Sequence, residues 1–190
     1  MDIYLIRHTK SHIQPGICYG RSDIGLAETF QDELKILKTK IPDIENLKII
    51  SSPLKRCTVL AQGLTTTPFL IDTRLAEMNF GEWELMEWRK IMTQDENLYK
   101  KWENDYVNLA PPGGETYIGL YKRCSSLFDE VINASDGDYA LITHGGIIRA
   151  LIAHVLNLPL ENSFQLAIDI GSVTKVSING KIRKVHYINR

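Results

Sequence analysis

Short apolar runs that stop abruptly alternate along this chain with stretches whose apolar residues recur every three or four positions. Residues 3–6 form one run, ended by charge at Arg7; residues 47–51 form a second, closed by Ser51-Ser52-Pro53; residues 138–143 form a third, closed by His144-Gly145-Gly146. Runs this short, bounded by turn or cap residues, read as buried strands. Helical spacing covers 28–40, with Phe30, Leu34, Leu37 and Ile41 on one face and Pro42 as the stop. It returns over 115–132 through Ile118, Leu120, Tyr121, Leu127, Phe128 and Val131. Pro53 suits the first helical position after a serine cap and predicts a helix to about residue 64, while Gly145 and Gly146 open another to about 156. From 164 to 188 apolar and polar residues alternate, with breaks at Gly171-Ser172 and Asn179-Gly180. This predicts closing strands, the second break being a type I′ hairpin signal.

Strands that alternate with helices predict an α/β fold with an open sheet. The stretch 81–112, rich in Trp, Tyr, Glu and Lys, has weak periodicity and is expected as a helical cap with loops outside the sheet. No internal repeat, low-complexity segment or linker interrupts the chain, so a single domain over 1–190 is expected.

Composition narrows the class. With 190 residues, 44% hydrophobic and 24% charged, the chain is long enough for one proper core. A net charge of −1 gives no basic field for nucleic acid, and no single-sign run suggests an interaction arm. No run approaches the roughly 18 apolar residues that cross a bilayer, and no basic leader precedes an apolar stretch. Three cysteines (Cys18, Cys57 and Cys124), an odd number without CxxC spacing, argue against a disulfide framework and a zinc cluster. A cytoplasmic protein with a small soluble ligand is expected, without nucleic acid, membrane, metal or other cofactor. Oligomeric state is not encoded in these features.

The chemistry lies where the strands stop. Ligands of open α/β sheets gather at the carboxyl ends of parallel strands, and Arg7-His8 and His144 stand at two such ends. Either histidine alone reads equally well as an edge residue. His144, directly before a Gly-Gly helix start, would lie beside free backbone N–H groups and a positive helix end, which suit phosphate. Arg56 stands about one turn into the helix predicted from Pro53, and its side chain leans toward that helix's start. On its own Arg56 is an ordinary surface arginine. Two guanidiniums and two imidazoles around one anion make a phosphate-monoester pocket, because Arg forks pair with phosphate oxygens and an imidazole can carry a phosphoryl group. His8 and His12 are four apart, but this spacing brings ligands together only on a helix, and His8 ends a strand. His154, within an apolar helix, is expected to be a hydrogen-bonded packing residue, and His186, in the last strand pattern, carries no signal.

Five motifs extend this picture: Arg7-His8-Thr9; Ser51-Ser52-Pro53-Leu54-Lys55-Arg56-Cys57; Leu75-Ala76-Glu77-Met78-Asn79-Phe80-Gly81-Glu82-Trp83-Glu84; Pro112-Gly113-Gly114-Glu115-Thr116; and His144-Gly145-Gly146. Together, and in this order, they resemble the histidine phosphatase (phosphoglycerate mutase-like) family. The resemblance implies that family's three-layer α/β/α fold around a mostly parallel sheet. It also implies His8 as the nucleophile that becomes phosphohistidine, Arg7, Arg56 and His144 as phosphate-binding residues, and Glu77 as the proton donor. Such a carboxyl group protonates the leaving oxygen and then deprotonates the attacking water. Glu82 and Glu84 are expected to be solvated cap residues. For His8 to attack, one ring nitrogen must be bare, so the other should donate to a backbone carbonyl.

The segment Gly16-Ile17-Cys18-Tyr19-Gly20-Arg21-Ser22-Asp23, followed by Leu26-Ala27, is similar to a loop of α-ribazole phosphatases. That likeness implies hydrolysis of α-ribazole 5′-phosphate, a step of cobalamin biosynthesis. Tyr19 could stack on an aromatic base and Arg21 could hold a second polar group, or the loop could simply pack on the domain. The chain departs from the commoner family pattern at three places: Thr9 follows Arg-His where Gly is usual, Gln14 replaces a frequent Asn, and Leu85 stands where Gly usually continues the Trp motif. These leave the contacts of Gln14 and the geometry after Glu84 open. A broad-specificity sugar-phosphate phosphatase, a phosphoglycerate mutase, a phosphohistidine protein phosphatase and a non-catalytic phospholigand-binding module are the alternatives.

Overall fold

A computed structural model describes residues 1–134 and 137–190. Six strands form one sheet: β1 (Asp2–Arg7), β2 (Lys48–Ser51), β3 (Leu70–Ile71), β4 (Tyr139–Thr143), β5 (Val173–Asn179) and β6 (Ile182–Tyr187), in the order β3-β2-β4-β1-β5-β6. The first four strands in that order run parallel, and β5 and β6 close the sheet antiparallel.

Alternation along the strands assigns each residue to a layer, because successive side chains point to opposite faces. Ile3 and Leu5 of β1 and Leu141 of β4 pack with helices α5 (Tyr117–Ala134) and α6 (Gly145–Leu156). Tyr4, Ile6, Ala140 and Ile142 pack on the other face with α1 (Phe30–Lys40) and α2 (Lys55–Leu64). Apolar residues on both faces explain why β1 and β4 read as continuous runs rather than alternating ones. The expected three-layer arrangement is therefore present. Truncating a fully buried strand residue such as Leu141 would cost roughly 2–5 kcal/mol.

The stretch 81–112 carries α3 (Trp88–Gln94) and α4 (Glu96–Asn104), whose apolar faces close over Cys18, Trp83 and Ile91 as a separate small core. Trp88 of α3 lines the same pocket as Arg7, the last residue of β1.

Several boundaries differ from the sequence expectation. Leu54 is extended (φ −70°, ψ 137°), so α2 begins at Lys55 rather than Pro53. Residues 160–165 form a 3₁₀ turn, and the closing strands begin only at Val173. The β5–β6 loop is Gly180-Lys181, since Asn179 still pairs with Ile182, and only Gly180 has positive φ (58°). That is the pattern of a II′ turn rather than I′. The strand β3, two residues long, is too short to show a period in the sequence.

Candidate active site

Strands β1 and β4 are adjacent and in register from Ile3 opposite Tyr139 to Arg7 opposite Thr143. The next residue of each is a histidine, so His8 and His144 emerge side by side at the carboxyl edge with ring centroids 5.1 Å apart. Both are buried. His8 Nδ1 lies 2.7 Å from the Thr9 carbonyl oxygen. A carbonyl only accepts, so Nδ1 carries the proton and Nε2 keeps a bare lone pair. Burial and then the charge of Arg56 push the His8 pKa down to about 3, against an upward pull from the Thr9 bond and with a weaker downward push from Arg7. The imidazole is neutral at physiological pH.

His144 precedes the first turn of α6. Arg56 donates from Nε to His144 Nδ1 at 3.3 Å, which assigns the His144 proton to Nε2, 2.7 Å from the Ser52 hydroxyl oxygen. Burial, reinforced by His8 and Arg56, holds the His144 pKa well below its ordinary value. Ser52 is thus less a helix cap than the partner of this histidine. It stands beside β4 because Ser51 pairs with Ile142 and the Ser52 amide donates to the Ile142 carbonyl.

Arg56 is fully buried and spans the site. Its Nη1 donates to the Ser22 carbonyl at 2.8 Å and its Nη2 to the Gly20 carbonyl at 2.5 Å, while the Tyr19 ring lies 5.3 Å from its Cζ. Arg7 donates from Nη1 to the Ile168 carbonyl, and its buried Nε has no protein partner among the described residues. A buried guanidinium N–H without an acceptor is costly in a folded chain and suits an incoming anion.

Glu77 follows a 3₁₀ turn, Thr73–Leu75, in a loop that periodicity alone does not place. Its carboxylate accepts from the Gly146 amide at 3.1 Å and the Met78 amide at 3.0 Å, which sets it over the start of α6. Arg123 of α5 fixes this loop by donating to the carbonyls of Arg74, Ala76 and Glu77, and Glu115 pairs with Arg123 at 2.8 Å. Nothing in the sequence marks Arg123 out, since it sits on a polar helical position like many others.

Glu84 corrects an expectation. Rather than being a solvated cap residue, it accepts from the Ser22 hydroxyl and from the backbone amides of Gly20, Arg21, Ser22 and Phe80. Burial pulls its pKa up, but these donors outweigh burial and leave it lowered. Glu82 is exposed.

The loop residues divide. Tyr19 lines a pocket of about 340 Å³ shared with Arg7, Glu77, Phe80, Trp88, Tyr117, Arg149 and Phe164. Arg21 instead pairs with Glu115 at 3.3 Å and faces a separate depression with Leu54, Arg74 and Arg123. Gln14 is exposed and lines a third depression with His12 and Thr29.

Set beside known proteins, residues 3–190 match the model of the histidine phosphatase superfamily (branch 1). The chain belongs to the histidine phosphatase superfamily. This histidine phosphatase is 26% identical over 195 residues to the adenosylcobalamin/alpha-ribazole phosphatase of Escherichia coli (strain K12), covering all of this chain and 96% of that one. It is 28% identical over 193 residues to the glucosyl-3-phosphoglycerate phosphatase of Mycolicibacterium vanbaalenii, covering 95% of this chain and 85% of that one. The crystal structure of the alpha-ribazole phosphatase from Shigella flexneri superposes with a TM-score of 0.92 at 25% identity, covering 100% and 96% of the two chains. The phosphoglycerate mutase-like fold implied by the motifs is thereby established for this histidine phosphatase. No helix among its described residues is long and apolar enough to cross a membrane.

Proposed function

We propose that this protein hydrolyses small phosphate monoesters through a phosphohistidine intermediate, without a metal. The observation that carries the reading is the His8 ring, with Nδ1–H tied to the Thr9 carbonyl and Nε2 bare beside Arg7 and Arg56. His8 Nε2 attacks phosphorus and forms the N–P bond as the ester P–O bond breaks. Glu77 gives its proton to the departing oxygen, and the alcohol leaves. Water then attacks phosphorus, Glu77 takes its proton, the N–P bond breaks, and inorganic phosphate is released. Arg7, Arg56 and the start of α6 hold the phosphoryl oxygens through both transfers, with His144 beside His8, and stabilise the charge that moves between them.

The substrate we propose is α-ribazole 5′-phosphate. Support comes from the names of the E. coli and S. flexneri relatives and from the aromatic walls of the pocket, where Tyr19, Phe80 and Trp88 offer ring faces to a flat leaving group.

Two measurements test these statements separately. Release of p-nitrophenol from p-nitrophenyl phosphate should persist in chelator and vanish in His8→Ala; phosphate binding without turnover by the wild type would instead indicate a binding module. Comparison of kcat/KM for α-ribazole 5′-phosphate, sugar phosphates and 3-phosphoglycerate should rank the first highest. Equal values would overturn the substrate and leave the reaction class standing.

A further inference from the structure

One guanidinium at the site has no part in the transfers above. Arg149, in the second turn of α6, donates from Nε to the Leu166 carbonyl at 2.9 Å, and its Cζ lies 5.1 Å from the centre of the Phe164 ring. These two contacts fix the plane of the group. Among the described residues, nothing accepts from its two terminal nitrogens.

Arg149 also lies against Arg7. A Cβ built on Gly145 would stand 3.2 Å from Arg149 Nη1 and 3.3 Å from both Nε and Cζ of Arg7, so the two guanidiniums share the surface of one glycine. Burial, followed by the charge of Arg7, makes the cationic form of Arg149 harder to hold and outweighs the opposite pulls of Tyr117 and Glu77. Like charges brought together cost free energy that a ligand can offset. A phosphomonoester dianion carries two charges, which Arg7 and Arg56 already match. Arg149 is the surplus cation. Its placement gives the direction, since it lines the aromatic pocket with Phe164 whereas His8, Arg56 and His144 do not.

Resting on the phosphatase reading above, we propose that Arg149 is a specificity-determining residue that donates to an oxygen acceptor, hydroxyl or carboxylate, on the leaving group rather than to the phosphoryl group. A guanidinium with both terminal nitrogens unpaired and its plane already fixed loses little freedom on making such a bond.

Arg149→Met and Arg149→Lys test this with phenyl phosphate, whose leaving group has no acceptor besides the ester oxygen, and with α-ribazole 5′-phosphate and 3-phosphoglycerate, which offer hydroxyls and a carboxylate. In Arg149→Met, kcat/KM for whichever acceptor-bearing ester the wild type prefers should fall roughly 10- to 100-fold, mainly through KM, with Lys restoring part of it. Phenyl phosphate should change less than about threefold, the spread of minor context effects. The ester that suffers identifies the acceptor. An equal loss on phenyl phosphate would assign Arg149 to the phosphoryl group or the fold, and no loss on any ester would remove the role. Binding of the same esters to His8→Ala, with and without Arg149→Met, gives the comparison without turnover, so failure of the phosphatase reading is separable from failure of this one.

Discussion

The Glu77 carboxylate and the Gly146 backbone fit together so closely that a Cβ on Gly146 would stand 2.5 Å from Glu77 Oε1. Glycine is needed there for the approach of the acid, since the Gly146 amide donates to Glu77 Oε2 and its position lies inside an ordinary helix.

Gly146→Ala should therefore push Glu77 off its two amides while favouring α6 by about 0.5–1 kcal/mol through helix propensity. Loss of a placed general acid is expected to lower kcat by about 100-fold. The loss should be larger for alkyl than for aryl phosphates, because poor leaving groups need the proton most. Unchanged kcat on an alkyl phosphate in a folded variant would remove Glu77 from the proposed role.

Stability should fall with acid before the carboxylates titrate. The folded-state pKa of His8 is depressed to about 3, so the unfolded chain takes up a proton near pH 6.5 while the native chain does not. Its contribution is complete above about pH 7, declines as pH drops through 6.5, and amounts to a loss of about 2 kcal/mol by pH 5. His144 adds in the same direction, its pKa being likewise depressed by burial. Urea unfolding in phosphate-free buffer at pH 7.5 and 5.0 reads this directly, and His8→Gln should flatten part of the slope. A wild-type slope equal to that of His8→Gln would mean that His8 is not held neutral.

Leu85 occupies the left-handed region at φ 65°, and its side chain is 56% exposed. The backbone there needs what glycine provides, because the Leu85 amide donates to the Cys18 carbonyl and ties the cap to the substrate-side loop. Relief of about 1–2 kcal/mol of left-handed strain, less the added freedom of the unfolded chain, should leave Leu85→Gly more stable by about 0.5–1 kcal/mol. Leu85→Val should be less stable than wild type. The midpoints of chemical denaturation check both signs.

Glu84 and Arg56 share no direct hydrogen bond or ion pair, yet one holds the other. Glu84 takes the amides of Gly20, Arg21 and Ser22, and the carbonyls of Gly20 and Ser22 take the Arg56 guanidinium. Glu84→Gln keeps the shape but halves the acceptor capacity. It should raise KM and the inhibition constant of inorganic phosphate several-fold with little change in kcat, of the order of one or two lost hydrogen bonds to a charged group. A phosphate inhibition constant equal to the wild type would show that the loop stays in place without Glu84.

Much of this site was legible in the sequence because its first members sit where apolar runs stop. The ends of residues 3–6 and 138–143 mark strand ends, and parallel pairing of those strands brings His8 to His144. Arg56 was legible through helical lean, although its helix starts two residues later than Pro53 suggests. Glu77 was legible only through the family resemblance of its motif, for its loop has no period and its place depends on Arg123 reaching across from α5. Ser52, Glu84 and Arg149 were hidden for a related reason. Each is an ordinary polar residue locally, and only tertiary approach decides that one meets an imidazole, one a loop of amides and one a second guanidinium.

The central position of β1 between β4 and β5 has a consequence for synthesis on the ribosome. β1 finds neither neighbour until β4, beginning at Tyr139, and then β5, beginning at Val173, have been translated, so hydrophobic Ile3, Leu5 and Ile6 must wait unpaired. Such late pairing makes folding slow and leaves nascent β1 a natural client for chaperones. It also means that a product terminated just before β4 carries Arg7, His8, Arg56 and Glu77 but lacks His144 and any strand beside β1 to bring them together.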